Sequence, residues 1–346
     1  MLAVTVLPGL ADSAELGEVP EPPLSDGPVL VAVEAVGVCG TDREVVAGEY
    51  GQAPPGEERL VLGHESVGRV LEAPTGSGLL EGDRVVGIVR RPDPVPCRSC
   101  AVGEWDMCRN GQYTEHGIKG LHGFARERYR AHADELVRVD TGLGRLGVLL
   151  EPASIVTKAW EHIERIGARA VWAPESVLVT GAGPIGLLAA LLAVQRGLRV
   201  RVLDLVEDGP KPDLVRALGA TYDATPVAEL REEFDVVVEC TGVAPVIAAV
   251  LDRANNGGTV CLTGVSAGRH VRLDLGALNR ELVLGNGVVF GTVNANRRHY
   301  EAAAEALAAA DPAWLAGLLT RSVPLRDFRE ALAPRPDDVK TVLTLP

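Results

Sequence analysis

Two groups of metal-ligating residue types occur in this chain. Cys97, Cys100 and Cys108 lie in "PDPVPCRSCAVGEWDMC", residues 92–108, separated by two and then seven residues. Thiolates at such spacing let a short loop fold around zinc, and structural zinc sites are closed by four ligands. The second group is dispersed: Cys39 in "GVCGTD", His64 and Glu65 in "LGHES", Glu151 in "LLEPAS". Taken singly, each has a plain explanation as a buried thiol, a core histidine or a solvated acid. Together, one thiolate, one imidazole and two carboxylates suit a zinc that keeps a position open for chemistry. Asp42, three residues after Cys39, is a natural partner for the His64 ring, where it would fix the tautomer.

A third stretch, "GAGPIG", places Gly181, Gly183 and Gly186 in the GxGxxG pattern, with Pro184 and Ile185 inside it. Gly-rich turns are common, so context decides. Here the turn follows the apolar run "SVLVT" and opens the apolar "LLAALLAVQR", a strand–turn–helix in which free N–H groups at the helix start can receive a pyrophosphate. The next strand, "LRVRVLD", ends at Asp204, eighteen residues beyond Gly186. A carboxylate there accepts hydrogen bonds from ribose hydroxyls and opposes a 2′-phosphate, so NAD is expected over NADP.

The elements that must position these residues fall into two styles. Residues 1–150 are rich in Gly and Pro with short runs such as "VLVAVEAVGVCG" and "DRVVGIV", which predicts a closed or folded-over antiparallel β domain. From about Ser176 strands and helices alternate. "FDVVVECTG", "GGTVCLTG" and "LVLGNGVVFG" read as further short strands bounded by glycine, and "VAPVIAAVLDRAN" as an intervening helix. That is a doubly wound parallel sheet. From Arg297 onward come an Ala-rich helix, "RRHYEAAAEALAAAD", and the strand-like "VKTVLTLP".

Composition narrows the function. The 346 residues suffice for two domains, and 47% hydrophobic with 23% charged residues is a globular profile. A net charge of −13 argues against nucleic acid or an anionic membrane as partner. No run of eighteen apolar residues is present, and "MLAVTVLPGLADSAE" reads as a first strand rather than a signal peptide. Cys240 and Cys261 fall within apolar strands, and a reducing cytoplasm is the expected location.

"GVCGTDREVVAGEYG", "LVLGHES", "GDRVVGIVRR", the cysteine lobe, "LLEPAS", "GAGPIG" and "GTVNAN" follow the order seen in zinc-containing medium-chain dehydrogenases. The chain resembles that superfamily over nearly its whole length, and most of all its glucose (aldose) 1-dehydrogenase branch. The resemblance implies an α/β protein: a GroES-like β-rich catalytic domain (residues 1–153, zinc lobe at 93–108), a Rossmann domain with a doubly wound parallel sheet (154–293), and a segment, 294–346, returning to the catalytic domain. It implies catalytic zinc on Cys39, His64 and one or both of Glu65 and Glu151. Thr41 matches a hydroxyl that relays the substrate proton and contacts the substrate. Glu115, Glu151 and Asn294 match sugar contacts. Gly181, Gly183, Pro184, Ile185, Gly186, Asp204, Thr263, Gly264, Val265, Val293 and Asn294 match cofactor contacts.

The same resemblance implies a structural lobe built on four cysteines with gaps of two, two and seven. Counting back from Cys97 reaches Pro94, which cannot ligate, so the adjacent Asp93 is the expected fourth ligand. Two departures stand out. Glu44 occupies a position where liver-type alcohol dehydrogenases often have a relay histidine, and Val89 and Ile155 are apolar where some archaeal members contact the sugar with polar groups. The expected reaction is NAD-linked oxidation of an aldose at C1 to the lactone. The alternatives are a polyol, inositol-type or secondary-alcohol dehydrogenase, or a dinucleotide-binding protein without turnover. A homo-oligomer, dimer or tetramer, is expected.

Overall fold

A computed structural model describes residues 1–265 and 270–346. The chain divides into two compact units. One comprises Met1–Ser154 with Asn294–Pro346, the other Ile155–Val293.

The first unit is built on a seven-stranded sheet. Its order is Leu136–Arg138, Arg84–Gly87, Glu65–Glu72, Val29–Val38, Thr341–Thr344 and Arg321–Pro324, with Arg128–Ala131 also paired to Val29–Val38. All pairings are antiparallel except that of Arg321–Pro324 with Thr341–Thr344. Val29–Val38 is central because its apolar alternation continues without polar interruption at its end: Val31, Val33 and Val36 are buried with Phe124, Tyr129 and Phe328 in one core. Register places Gly37 opposite Glu65 and Val38 opposite Thr341. A side chain at Gly37 would meet Glu65 Oε2 at 1.9 Å, so only glycine leaves room for that carboxylate. A smaller sheet of Arg90–Arg91, Thr114–His116 and Gly120–Leu121 sets Arg90 directly across from Glu115.

The second unit holds six parallel strands. In space they run Thr221–Asp223, Arg199–Leu203, Ser176–Thr180, Phe234–Glu239, Ala254–Leu262 and Val288–Gly291. In chain order this is 3-2-1-4-5-6, the arrangement of doubly wound dinucleotide-binding sheets. Ser176–Thr180 is buried throughout, as a central strand covered on both faces must be.

The structure corrects the sequence reading of "LVLGNGVVFG". Its first residues end a helix, Leu275–Leu284, capped by the Asp274 carboxylate accepting from Ala277 N at 3.0 Å; the strand begins only at Val288. An aspartate cap and a ten-residue helix outweigh a three-residue apolar run whose period is ambiguous. Cys240 likewise sits just past the end of its strand rather than within it. Among the described residues no helix is long and apolar enough to cross a membrane.

Candidate active site

The strand Val29–Val38 delivers Cys39 to the start of the helix Gly40–Val46. Cys39 caps that helix: its Sγ accepts from Thr41 N at 3.4 Å, and Asp42 Oδ2 accepts from Cys39 N at 2.9 Å. Reciprocal capping ties the thiol, Thr41 and Asp42 into one rigid turn. Asp42 Oδ1 then lies 3.3 Å from His64 Nδ1, an ion-pair distance that is not aligned as a hydrogen bond. Both groups are buried. Burial by itself pushes the His64 pKa down, but the negative charges of Asp42 and Cys39 outweigh it and hold the ring well above its ordinary value.

Cys39, His64 and Glu65 bring one ligand atom each to within 4.8 Å of one another. Glu65 is not free, however. Lys340 Nζ donates to its Oε1 at 2.7 Å and its Oε2 at 2.6 Å, with both side chains only 3% exposed. Lys340 reaches this point because Thr341–Thr344 pairs with Val29–Val38. Sequence reasoning missed it; the one signal available was a lone lysine in the apolar run "VKTVLTLP".

Glu151 lies outside the 4.8 Å cluster but close enough to feel it. Its pKa is raised to about 7, first by burial and with the help of the Glu65 and Asp42 charges, against the opposing pull of His64 and Lys340. The pocket thus gathers one thiol and three carboxyls around a single permanent cation, Lys340. Such a donor set has a deficit of positive charge, which a divalent ion of borderline softness would remove. The residues present therefore fit zinc.

Glu115 is buried. Arg90 donates to its Oε1 from Nε at 3.1 Å and Nη2 at 3.0 Å, and Asn294 Nδ2 donates to the same oxygen at 2.6 Å. Arg90 also stacks on Tyr113, 3.6 Å from the ring centre. Asn294 takes a left-handed φ of 64°, a conformation asparagine tolerates better than other side-chain-bearing residues. Two of the expected sugar contacts are thereby joined directly, with Arg90 as an unanticipated third member. Val89 is buried.

The cysteine lobe is only partly as expected. The thiols of Cys97, Cys100 and Cys108 lie within 4.8 Å of one another, but Asp93 is not gathered with them. Its Oδ1 accepts from Val95 N at 2.8 Å and its Oδ2 from the Asn110 amide. A carboxylate followed by a turn of the form Asp-Pro-Val satisfies the local backbone first, and that competition turns it from the thiols.

In the parallel-sheet unit, Gly183 precedes the helix Pro184–Gln195, and Pro184 occupies its first turn. A side chain on Gly186 would meet Gly181 O at 1.8 Å, so helix and strand can approach this closely only with glycine there. Asp204 stands just past Arg199–Leu203. Its Oδ2 accepts from Ala182 N at 2.7 Å and lies 3.4 Å from Lys211 Nζ. A further acid escaped the sequence reading: Glu239, fully buried, accepts from Thr241 N at 2.7 Å and Gly242 N at 3.1 Å. Thr263 and Gly264 both donate backbone N–H groups to Glu239 O, whereas Val265 and Val293 are exposed.

Residues 25–141 match the alcohol dehydrogenase GroES-like domain, and residues 144–345 match the glucose dehydrogenase C-terminus. The chain belongs to the glucose dehydrogenase branch of the zinc-containing medium-chain dehydrogenases. Similar members of that branch are the glucose 1-dehydrogenases of Methanocella arvoryzae, 38% identical over 100% of this chain and 99% of the relative, and of Thermoproteus tenax, 41% identical over 99% of each. Among solved structures, Haloferax mediterranei glucose dehydrogenase in complex with NADP, Zn and gluconolactone superposes with a TM-score of 0.92 at 35% identity, covering 100% of this chain and 99% of that one.

Proposed function

We propose that this protein is a zinc-dependent, NAD(P)-linked dehydrogenase that oxidises an aldose such as glucose at C1 to its lactone. The observation that carries the reading is the buried Cys39–His64–Glu65 cluster beside Glu151, in a chain matched end to end by glucose 1-dehydrogenases. Cys39, His64 and one or both of Glu65 and Glu151 would hold the catalytic zinc. When bound, zinc supplies a Lewis acid for the reacting hydroxyl, and the nicotinamide supplies the hydride acceptor. Asp42 steadies the His64 ring. Thr41, fixed in the same capped turn as Cys39, offers the hydroxyl that takes the substrate proton toward solvent.

Glu115, Glu151 and Asn294 would bind the sugar hydroxyls, with Thr41. A site furnished with such groups leaves them unpaired when a simple alcohol binds, and so disfavours it. Glu115→Gln preserves shape and removes one charge, and it should raise KM for glucose about tenfold, the scale of one hydrogen bond to a charged group, with zinc content and NAD affinity unchanged. Steady-state kinetics and metal analysis check this. Glutamine is the better replacement, because its amide oxygen can still accept from Arg90 and Asn294, whereas alanine would leave both buried donors unpaired. A panel of hexoses, pentoses, polyols and short alcohols tests the class: more efficient turnover of a short alcohol than of any sugar would refute the aldose reading.

Gly181, Gly183, Pro184, Ile185, Gly186, Asp204, Thr263, Gly264, Val265, Val293 and Asn294 would contact the cofactor. NAD is proposed over NADP because Asp204 presents a carboxylate where a 2′-phosphate would lie. Asp204→Ala should lower kcat/KM for NAD by roughly ten- to a hundredfold, the loss of charged hydrogen bonds. The same change frees Lys211 for a phosphate, so NADP should gain relative to NAD. Equal or better efficiency with NADP in the wild type would overturn this preference.

A structural zinc on Cys97, Cys100 and Cys108 is part of the reading, with Asp93 completing it by exchanging its Asn110 contact for the metal. All six cysteines are free, which supports a reducing, cytoplasmic setting. A homo-oligomer, dimer or tetramer, is supported by the exposed Leu275, Val283 and Leu284 on one helix, an apolar surface suited to a second copy.

A further inference from the structure

A cavity of about 510 Å³ opens in the first unit, and none of Cys39, His64, Glu65 or Glu151 lines it. One of its walls carries Arg126, whose side chain is buried to 5% exposure. The other arginines of the wall are matched: Arg91 to Glu135 at 2.8 Å and Arg130 to Glu72 at 2.7 Å. Arg126 is not. Its Nε has no hydrogen-bond partner, and among the described residues no carboxylate comes within 4 Å of its guanidinium. Asp26 and Glu57 act on it only from a distance, and burial lowers its pKa to about 10, which leaves it charged at neutral pH.

A buried charge without a counter-charge is costly, and folds keep one where something pairs with it. One unmatched guanidinium asks for one negative charge presented by two oxygens in a plane, which is a carboxylate. A phosphate dianion would set a second negative charge among Glu21, Asp26, Glu57 and Glu135, all in the same wall. The geometry points to a binding site for a small organic carboxylate in this cavity, its two oxygens held by the Arg126 guanidinium. None of the metal-cluster residues lines this cavity, so its occupant is an effector or a carried ligand rather than the group being oxidised.

Thermal melting and titration calorimetry of the zinc-loaded protein, in buffer free of carboxylates and phosphate, test the assignment with acetate, gluconate and inorganic phosphate as probes. Acetate and gluconate should each raise the wild-type melting temperature. Arg126→Met should weaken their binding at least about tenfold, the scale of a charge-assisted hydrogen-bond pair. Without any probe, Arg126→Met should melt no lower than wild type, because it removes an uncompensated charge. Arg126→Gln, judged by the same affinity criterion, gives a second reading, and an Arg126→Met variant that melts well below wild type would count against an uncompensated charge. Unchanged affinity in the variant, no effect of either carboxylate, or binding of phosphate alone would each overturn the proposal. So would equal destabilisation by Arg126→Met and Asp26→Ala, which would mean that Asp26 already neutralises the guanidinium.

Discussion

Cys39→Ala is expected to abolish turnover, to below a few per cent of wild type, and to remove one zinc per chain. With the lobe loaded, wild type should carry about two zinc ions, one catalytic and one structural; the variant should carry about one. Cys39 contributes the only thiolate of the cluster. Without it the site keeps only an imidazole and carboxylates and loses its softest and strongest zinc ligand. The glycine turn belongs to the other unit, so NAD affinity should stay close to wild type. Fluorescence titration with NADH and metal analysis of the same preparation separate the two effects. Substantial activity in the variant would remove Cys39 from the metal centre, and lost NADH binding would show that the substitution damaged more than the site.

Lys340→Met is expected to destabilise the protein by about 3–5 kcal/mol, the range for stripping one partner from a buried ion pair. Lys340 is 3% exposed and donates to both oxygens of Glu65, with Val38 O at 3.4 Å. Burial lowers its pKa, yet the charges of Glu65 and Cys39 raise it on balance, so it is a true cation at neutral pH. Removing it leaves Cys39, Asp42, Glu65 and Glu151 without a permanent counter-charge. The loss should therefore be larger in chelator-treated protein than in zinc-loaded protein, because the metal supplies part of the missing charge. Lys340→Arg should recover part of the stability. Urea unfolding with and without zinc provides the comparison; equal losses in the two states would mean that Lys340 acts by packing alone.

Much of the site could be read from local patterns. Cys39 stands where an apolar strand meets a helix cap, and His64 and Glu65 where a glycine turn enters another strand; residue types and order were enough to name them, and the structure does bring these three together. The strand, glycine turn and helix at residues 176–195 were legible for the same reason, since period and turn chemistry act over a few residues. Where a local signal was ambiguous the reading failed, as in "LVLGNG", where three apolar residues fit a strand or a helix end equally well.

What only the tertiary structure decided concerns charges paired across long stretches of chain. Lys340 meets Glu65 from 275 residues away, and Asn294 meets Glu115 from 179. No periodicity encodes such pairs; they arise when sheet register sets two strands side by side. Burial then makes an unpaired charge costly and a matched one nearly neutral, and this separates the engaged Arg90 from the unmatched Arg126, which no sequence pattern distinguishes. Asp93 shows the converse, a carboxylate at ligand spacing captured by Val95 N and Asn110 instead. Ligand types and turns are local properties of the chain. Which oxygen faces which cation depends on backbone direction accumulated over the whole fold, and on how little water is left to stand between them.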